Sequence, residues 1–356
     1  MAPDEPTTGH VVALDVGGTV LKGAVVAPGG RVVRELRRPT DRDRGPAAVV
    51  DTVLDVLDEL VTLTRSTTGA PPLGAGLVVP GRVDDRRGVA QFSANIGWTD
   101  VPLVELAEQR LGLPVGFGHD VRAGGLAELV LGAARGVADC LFLAVGTGIA
   151  AAVVVDGRPY AGAHGLAGEI GHLRVRPDGP TCGCGARGCL ESVASASALA
   201  SAYAREGTPD DPGSAAEVIG RAATGEPLAT RLVTEVVDAL ADAVTAYVTL
   251  LDPEVVVLGG GLARADESLL LHPLRDAVAA RLTFQALPGF RTGELGDTAG
   301  CLGAALLAWQ RVGVPPSAAA DARDPAAGLH DPDGAQVAVE DDEVGLATGL
   351  QGPDVS

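Results

Sequence analysis

Methionine and lysine each occur once in the 356 residues, and aromatic side chains make up only 3%. Apolar residues still supply 46% of the chain, which is enough for a core and excludes a wholly disordered polypeptide. No stretch of about 18 or more apolar residues occurs. Residues 1–10 also lack a basic segment followed by an apolar one. Neither a membrane span nor a secretory signal is therefore expected, and the sequence reads as cytoplasmic. Positive charge is scarce as well: 27 basic against 46 acidic side chains leave a net −19. That balance excludes a nucleic-acid footprint built on a basic surface. Of five cysteines, three cluster as Cys182, Cys184 and Cys189, and without a signal peptide this favours metal over disulfide.

What is present is a repeated plan. Residues 11–15 form an apolar run that ends in Gly17-Gly18-Thr19 and resumes over 21–27. This predicts a hairpin whose glycine turn exposes backbone N–H groups. A helix is expected over 46–65 from apolar residues at helical spacing, then a buried strand over 73–79, a helix over 102–111 and a short strand over 115–118. The plan then recurs: a strand over 140–145, the turn Gly146-Thr147-Gly148, and a returning strand over 149–155. A long helix over 228–251, a strand over 254–258 running into Gly259-Gly260-Gly261, and a helix over 298–312 complete two related α/β halves. From residue 315 the composition shifts to Ala, Gly, Pro and acids without apolar periodicity, which predicts a disordered acidic tail through 356.

Several of these segments can carry chemistry. Glycines let backbone close on an anion, Thr19 adds a hydroxyl, and Asp15 at a strand end can hold magnesium. Each glycine turn alone is an ordinary hairpin turn. Three of them on apolar strands suggest a nucleotide held between two lobes. Cys182, Cys184 and Cys189 on a glycine-rich knuckle, with His172 upstream, supply a Cys3His set suited to tetrahedral zinc. Cys140 and Cys301 are expected to be buried free thiols. Asp120 follows a strand and precedes a helix, where open α/β sheets bind ligands. Glu169 and Glu191 flank the metal candidates and would be gathered by them, whereas Glu105 and Glu128 read as helix-end or solvated charges.

The run Gly168-Glu169-Ile170-Gly171-His172, followed by Cys182-x-Cys184-Gly-x-x-Gly-Cys189-x-Glu191, resembles the ROK family of repressors, open reading frames and sugar kinases, its bacterial glucokinases especially. The resemblance extends over residues 11–312. It implies an actin-like ATPase, ribonuclease-H-like duplicated α/β fold with ATP and sugar in a cleft between lobes. One lobe would span 1–120 with the C-terminal helix at 298–314, and the other 121–297 with a zinc knuckle. It further implies zinc held by His172, Cys182, Cys184 and Cys189, with His172, Glu169 and Glu191 on sugar hydroxyls. Asp120 matches the family's catalytic aspartate. Asp15, Gly17, Gly18 and Thr19 match its first phosphate loop, Gly146, Thr147 and Gly148 its second, and Gly259, Gly260 and Gly261 its adenosine-side loop. Gly81, Arg82 and Asn95 match sugar-side segments.

Two positions depart from the family pattern. His119 stands where the family writes Asn before the catalytic aspartate. Val20 stands where it writes Lys after the loop threonine, with Lys22 placed to substitute on the same strand face. The expectation is an ATP- and magnesium-dependent sugar kinase with structural zinc, homo-oligomeric, acting on glucose or a near hexose. His119 keeps a second acceptor open, a hexose-like cyclitol with an exocyclic hydroxymethyl group. A non-catalytic sugar-binding regulator is disfavoured, because no room precedes the first strand for a helix-turn-helix.

Overall fold

The computed structural model describes residues 9–207 and 213–315. The chain opens with β1 (Val11–Val16), β2 (Val20–Val26), β3 (Val32–Pro39) and β4 (Ala75–Val79). A small sheet of β5 (Arg82–Asp84), β6 (Val89–Phe92) and β7 (Thr99–Val101) follows, then β8 (Val115–His119). Five of these strands lie side by side in the order β3-β2-β1-β4-β8. The second half supplies β9 (Cys140–Val145), β10 (Ile149–Val155), β11 (Arg158–Pro159), β12 (Val255–Gly259) and β13 (Gly289–Thr292), in the order β11-β10-β9-β12-β13. Each sheet joins three antiparallel strands to two parallel ones at the same places. The repeat expected from two strand–glycine–strand units is a duplication of whole sheets.

Nine helices among the described residues cover the sheets: α1 (Pro46–Thr68), α2 (Leu103–Leu111), α3 (Asp120–Leu131), α4 (Leu190–Ala194), α5 (Ala196–Glu206), α6 (Ala215–Ala223), α7 (Pro227–Leu251), α8 (Leu271–Ala279) and α9 (Ala299–Arg311). Their placement follows strand alternation, since successive side chains of a strand point to opposite faces. On β1, Val12, Leu14 and Val16 pack with Leu57 and Leu60 of α1. Val11 and Ala13 pack instead with Leu302 and Leu306 of α9 and Ala123 of α3. On β9, Leu141, Leu143 and Val145 join α7, while Cys140 and Phe142 meet Leu129 of α3. Helix α3 therefore packs on both halves, with Asp120 as its first residue.

Close approach places α9. A Cβ on Gly76 of β4 would stand 1.8 Å from the Ala304 carbonyl oxygen, so only glycine lets the helix lie flat on the strand. Pro46 starts α1, and Gly69 in the left-handed conformation stops it, beyond the expected end at 65.

Glu128 corrects a sequence expectation. It is 1% exposed rather than solvated. Its carboxylate accepts from the N–H groups of Ala133 (2.8 Å), Glu294 (3.2 Å) and Leu295 (2.9 Å), pinning α3 to the approach to α9. Cys140 and Cys301 are buried free thiols, as expected. Among the described residues no helix is long and apolar enough to cross a membrane. The acidic tail, past Pro315, lies outside the described residues.

Candidate active site

The first glycine turn is a tight closure between β1 and β2. Gly17 N–H donates to the Val20 carbonyl at 3.1 Å, and the exposed Thr19 sits at the turn's end. Thr40, fully buried, braces the turn from β3's end. Its hydroxyl donates to the Gly17 carbonyl (2.7 Å) and its N–H to the Thr19 carbonyl (2.9 Å). Nothing in the sequence marked Thr40, because the brace links residues 23 apart. Asn95 joins this turn: a Cβ on Gly18 would touch the Asn95 Cβ at 3.7 Å. Gly81, with φ +91°, packs under Phe92 and Ser93, so the segments around Gly81 and Asn95 are neighbours. Arg82 is exposed on β5.

Asp15 is the electrostatic centre of this half. Lys22 lies opposite it across the β1–β2 ladder, with Nζ donating to the Asp297 carbonyl at 3.0 Å. The start of α9 crowds the carboxylate, since a Cβ on Gly300 would stand 2.7 Å from Asp15 Oδ2. Burial first, then the negative charge of Asp120, pushes the Asp15 carboxyl up to about 7; Lys22 opposes the shift.

Asp120 opens α3 with Oδ1 accepting its neighbour's N–H, from Val121 at 2.7 Å. His119 is buried, and its Nδ1 lies 3.3 Å from that same Oδ1. Nδ1 also accepts from Arg122 N–H (3.4 Å), capping the helix.

In the second half, Gly146 and Gly261 meet: a Cβ on Gly146 would stand 3.9 Å from Gly261 N. Gly260, at φ +85°, folds against the Val145 carbonyl. Glu191 Oε2 accepts from Ile149 N–H at 2.9 Å and fills the space a Gly148 side chain would take. Thr147, Cys182 and Glu191 line one cavity of about 730 Å³.

The knuckle brings four donors together. The ligand atoms of His172, Cys182, Cys184 and Cys189 all lie within 4.8 Å of one another. His172 Nδ1 is 3.7 Å from Cys182 Sγ, and Cys184 Sγ is 3.7 Å from Cys189 Sγ. A tetrahedron with metal–sulfur bonds of about 2.3 Å has sulfur–sulfur edges of about 3.8 Å. The donor set therefore fits a four-coordinate metal. The ring's other nitrogen, Nε2, faces Glu169 Oε2 at 3.8 Å, the outer carboxylate such ligands often have. Burial pushes the Cys189 thiol up to about 12, while the Ala186 N–H lowers that of Cys184. The backbone path needs Gly188, at φ +70°, because a Cβ there would stand 1.4 Å from the Arg176 carbonyl oxygen.

A family model described as ROK family matches residues 11–311. The chain belongs to the ROK family. It is 34% identical to the glucokinase of Thermotoga maritima over 85% of this chain and 98% of that one. Its fold matches that of a ROK hexokinase from Thermus thermophilus, with a TM-score of 0.74 and 37% identity over 85% of this chain and 99% of the other. A ROK family glucokinase from Streptomyces griseus, in complex with glucose and AMPPNP, matches with a TM-score of 0.74 and 30% identity, over 85% of this chain and 100% of that one. The α/β architecture is thus that of ROK sugar kinases. Besides the Gly146–Gly261 contact, the ROK residues read from the sequence form three groups in space. Asp15, Lys22 and Asp120 make one; Gly18 and Asn95 make another. The third joins Gly148 to Glu191, and Glu169 to the metal-ligand set.

Proposed function

We propose that this ROK protein is an ATP-dependent kinase that phosphorylates the primary hydroxyl of glucose or a closely related hexose. The observation that carries the reading is the Asp15–Asp120 pair, two carboxylates of which one sits at a glycine turn and the other opens α3, with burial first and then the Asp120 charge raising the Asp15 carboxyl. Phosphoryl transfer asks mainly for positioning and charge neutralisation. Asp120 is the base that accepts the hydroxyl proton as that oxygen attacks the γ-phosphorus, with ADP leaving. Asp15, Gly17, Gly18, Thr19 and Lys22 serve one phosphate loop, Gly146, Thr147 and Gly148 the other, and Gly259, Gly260 and Gly261 the adenosine side. Magnesium at Asp15 would neutralise triphosphate charge. Gly81, Arg82, Asn95, His119, Glu169, His172 and Glu191 hold the acceptor, because a polyol is read by fixed hydrogen-bond partners. His172, Cys182, Cys184 and Cys189 would hold a structural zinc, since four protein ligands leave no open position.

His119 favours a second acceptor, a hexose-like cyclitol bearing a hydroxymethyl group. With Nδ1 turned to the Arg122 N–H, this side chain offers a ligand one ring nitrogen, where an asparagine offers both a carbonyl and an amide. Purified protein with ATP and glucose, mannose, N-acetylglucosamine or a hydroxymethyl cyclitol tests both readings. At least one is phosphorylated, and Asp120→Asn keeps acceptor binding while kcat falls about 10²–10⁴-fold. A wild type inactive on every acceptor, or a loss smaller than about tenfold, overturns the assignment.

A further inference from the structure

Arg122 lies in the first turn of α3, two residues past Asp120, and is only 6% exposed. Its guanidinium forks to two distant segments. Nη2 donates to both Asp85 oxygens, at 2.9 and 2.8 Å, and Nη1 donates to the Gly165 carbonyl at 3.0 Å. Asp85 sits in the turn between β5 and β6, on the hairpin that begins at Arg82 and runs on through Phe92 toward Asn95. Gly165 belongs to the stretch that leaves β11 and arrives at Glu169 and His172. That stretch also leans on β5, where a Cβ on Gly165 would stand 2.8 Å from the Val83 carbonyl oxygen. Three residues on, the Ala151 N–H of β10 donates to the Gly168 carbonyl (2.8 Å), fixing the other end.

We propose that Arg122 is a positioning residue that sets the acceptor side of the site. One buried side chain ties the helix bearing Asp120 to the hairpin carrying Gly81 and Asn95 and to the strap carrying Glu169 and His172. The inference rests on the kinase reading above. A planar guanidinium suits the task because its donors point in fixed directions, one terminal nitrogen to a carboxylate and the other to a carbonyl. An ammonium in its place satisfies one segment and releases the other.

Two measurements on the full chain separate this inference from the reading beneath it. Hydrogen–deuterium exchange of the ligand-free protein reads the tie itself. In Arg122→Met, and in Asp85→Asn as the milder variant, exchange rises over 82–88 and 162–170 and stays at the wild-type level over 17–26. Steady-state kinetics read the consequence: the acceptor KM rises about tenfold or more, as for loss of a charged hydrogen bond, while the ATP KM stays within about twofold. Arg122→Lys falls between wild type and Arg122→Met. Unchanged exchange in both segments, or acceptor and ATP KM values that move together, overturns the proposal. A wild type inactive on every sugar defeats the kinase reading instead, and the exchange result still decides whether Arg122 holds the two segments.

Discussion

Asp15 is where stability and function pull apart. Below its ordinary value of 3.8 the carboxyl is protonated in the folded and unfolded chain alike. Between there and about 7 the unfolded chain ionises while the folded chain keeps its proton, so the folded state binds more protons and stability falls as pH rises through that window. The full shift corresponds to about 4 kcal/mol as an upper bound, reduced by the solvent that reaches this partly exposed side chain. Asp15→Asn removes the ionisation. Its Tm should exceed that of wild type at about pH 7.5, with the gap closing toward pH 4.5, while ATP-dependent activity is lost at either pH. A variant no more stable than wild type at the higher pH would contradict the geometry around Gly300 and Asp120. At this scale the sequence also had a blind spot: Asp15 and Asp120 stood out by position, yet their mutual influence depends on a fold that brings residues 105 apart together.

Elements were legible where burial is one-sided or complete. The β1–β2 and β9–β10 hairpins are apolar runs broken by glycine, and α1 and α7 bury long stripes of Val and Leu. Strand β3 was not, because Val-Val-Arg-Glu-Leu-Arg-Arg-Pro is an edge strand with no buried residue; its pairing with β2 makes it a strand, not its own composition. Helix α4 was missed for its five-residue span, α5 and α6 because their Ala-rich sequences bury only Leu199, Tyr203 and Val218, and β13 for its exposed, four-residue span. Glu128 was misread because it lies mid-helix among small residues, and its three N–H partners come from turns that only the fold supplies. Removing that carboxylate should expose its role. In Glu128→Ala the buried Ala133 N–H and the part-buried N–H groups of Glu294 and Leu295 lose their acceptor, at about 1–3 kcal/mol for the buried one and less for the others, so urea unfolding should show a loss of about 2 kcal/mol or more. Glu128→Gln keeps one acceptor oxygen and should lose clearly less. Equal losses would mean that side-chain volume, not the hydrogen bonds, holds α3 to the approach to α9.

At the scale of the whole molecule, the cysteine knuckle stands outside the cores yet adjoins the proposed site through Glu169 and Glu191. It was the most legible feature of the sequence, because three cysteines on a glycine-rich run have few competing explanations. The second half's large core is built from β9, β10, β12, α7 and α8. The knuckle reaches it chiefly through Leu190, which is fully buried, and Ala194 of α4. Cys184, by contrast, is exposed. Metal loss should therefore be a local event, unlike the global unfolding of small domains whose only core is the metal. Elemental analysis should find about one zinc per chain. Chelation, or Cys184→Ser, should leave far-UV circular dichroism nearly unchanged and lower Tm by only a few degrees. The acceptor KM should nevertheless rise about tenfold or more, because His172 loses its anchor and the segment from Cys189 into Glu191 loosens. The ATP KM should move less, since Gly17, Gly260 and Gly261 are braced by backbone contacts that do not pass through the knuckle. Metal-free protein with unchanged acceptor KM would detach the knuckle from the site, leaving Glu191 held by the Ile149 N–H alone.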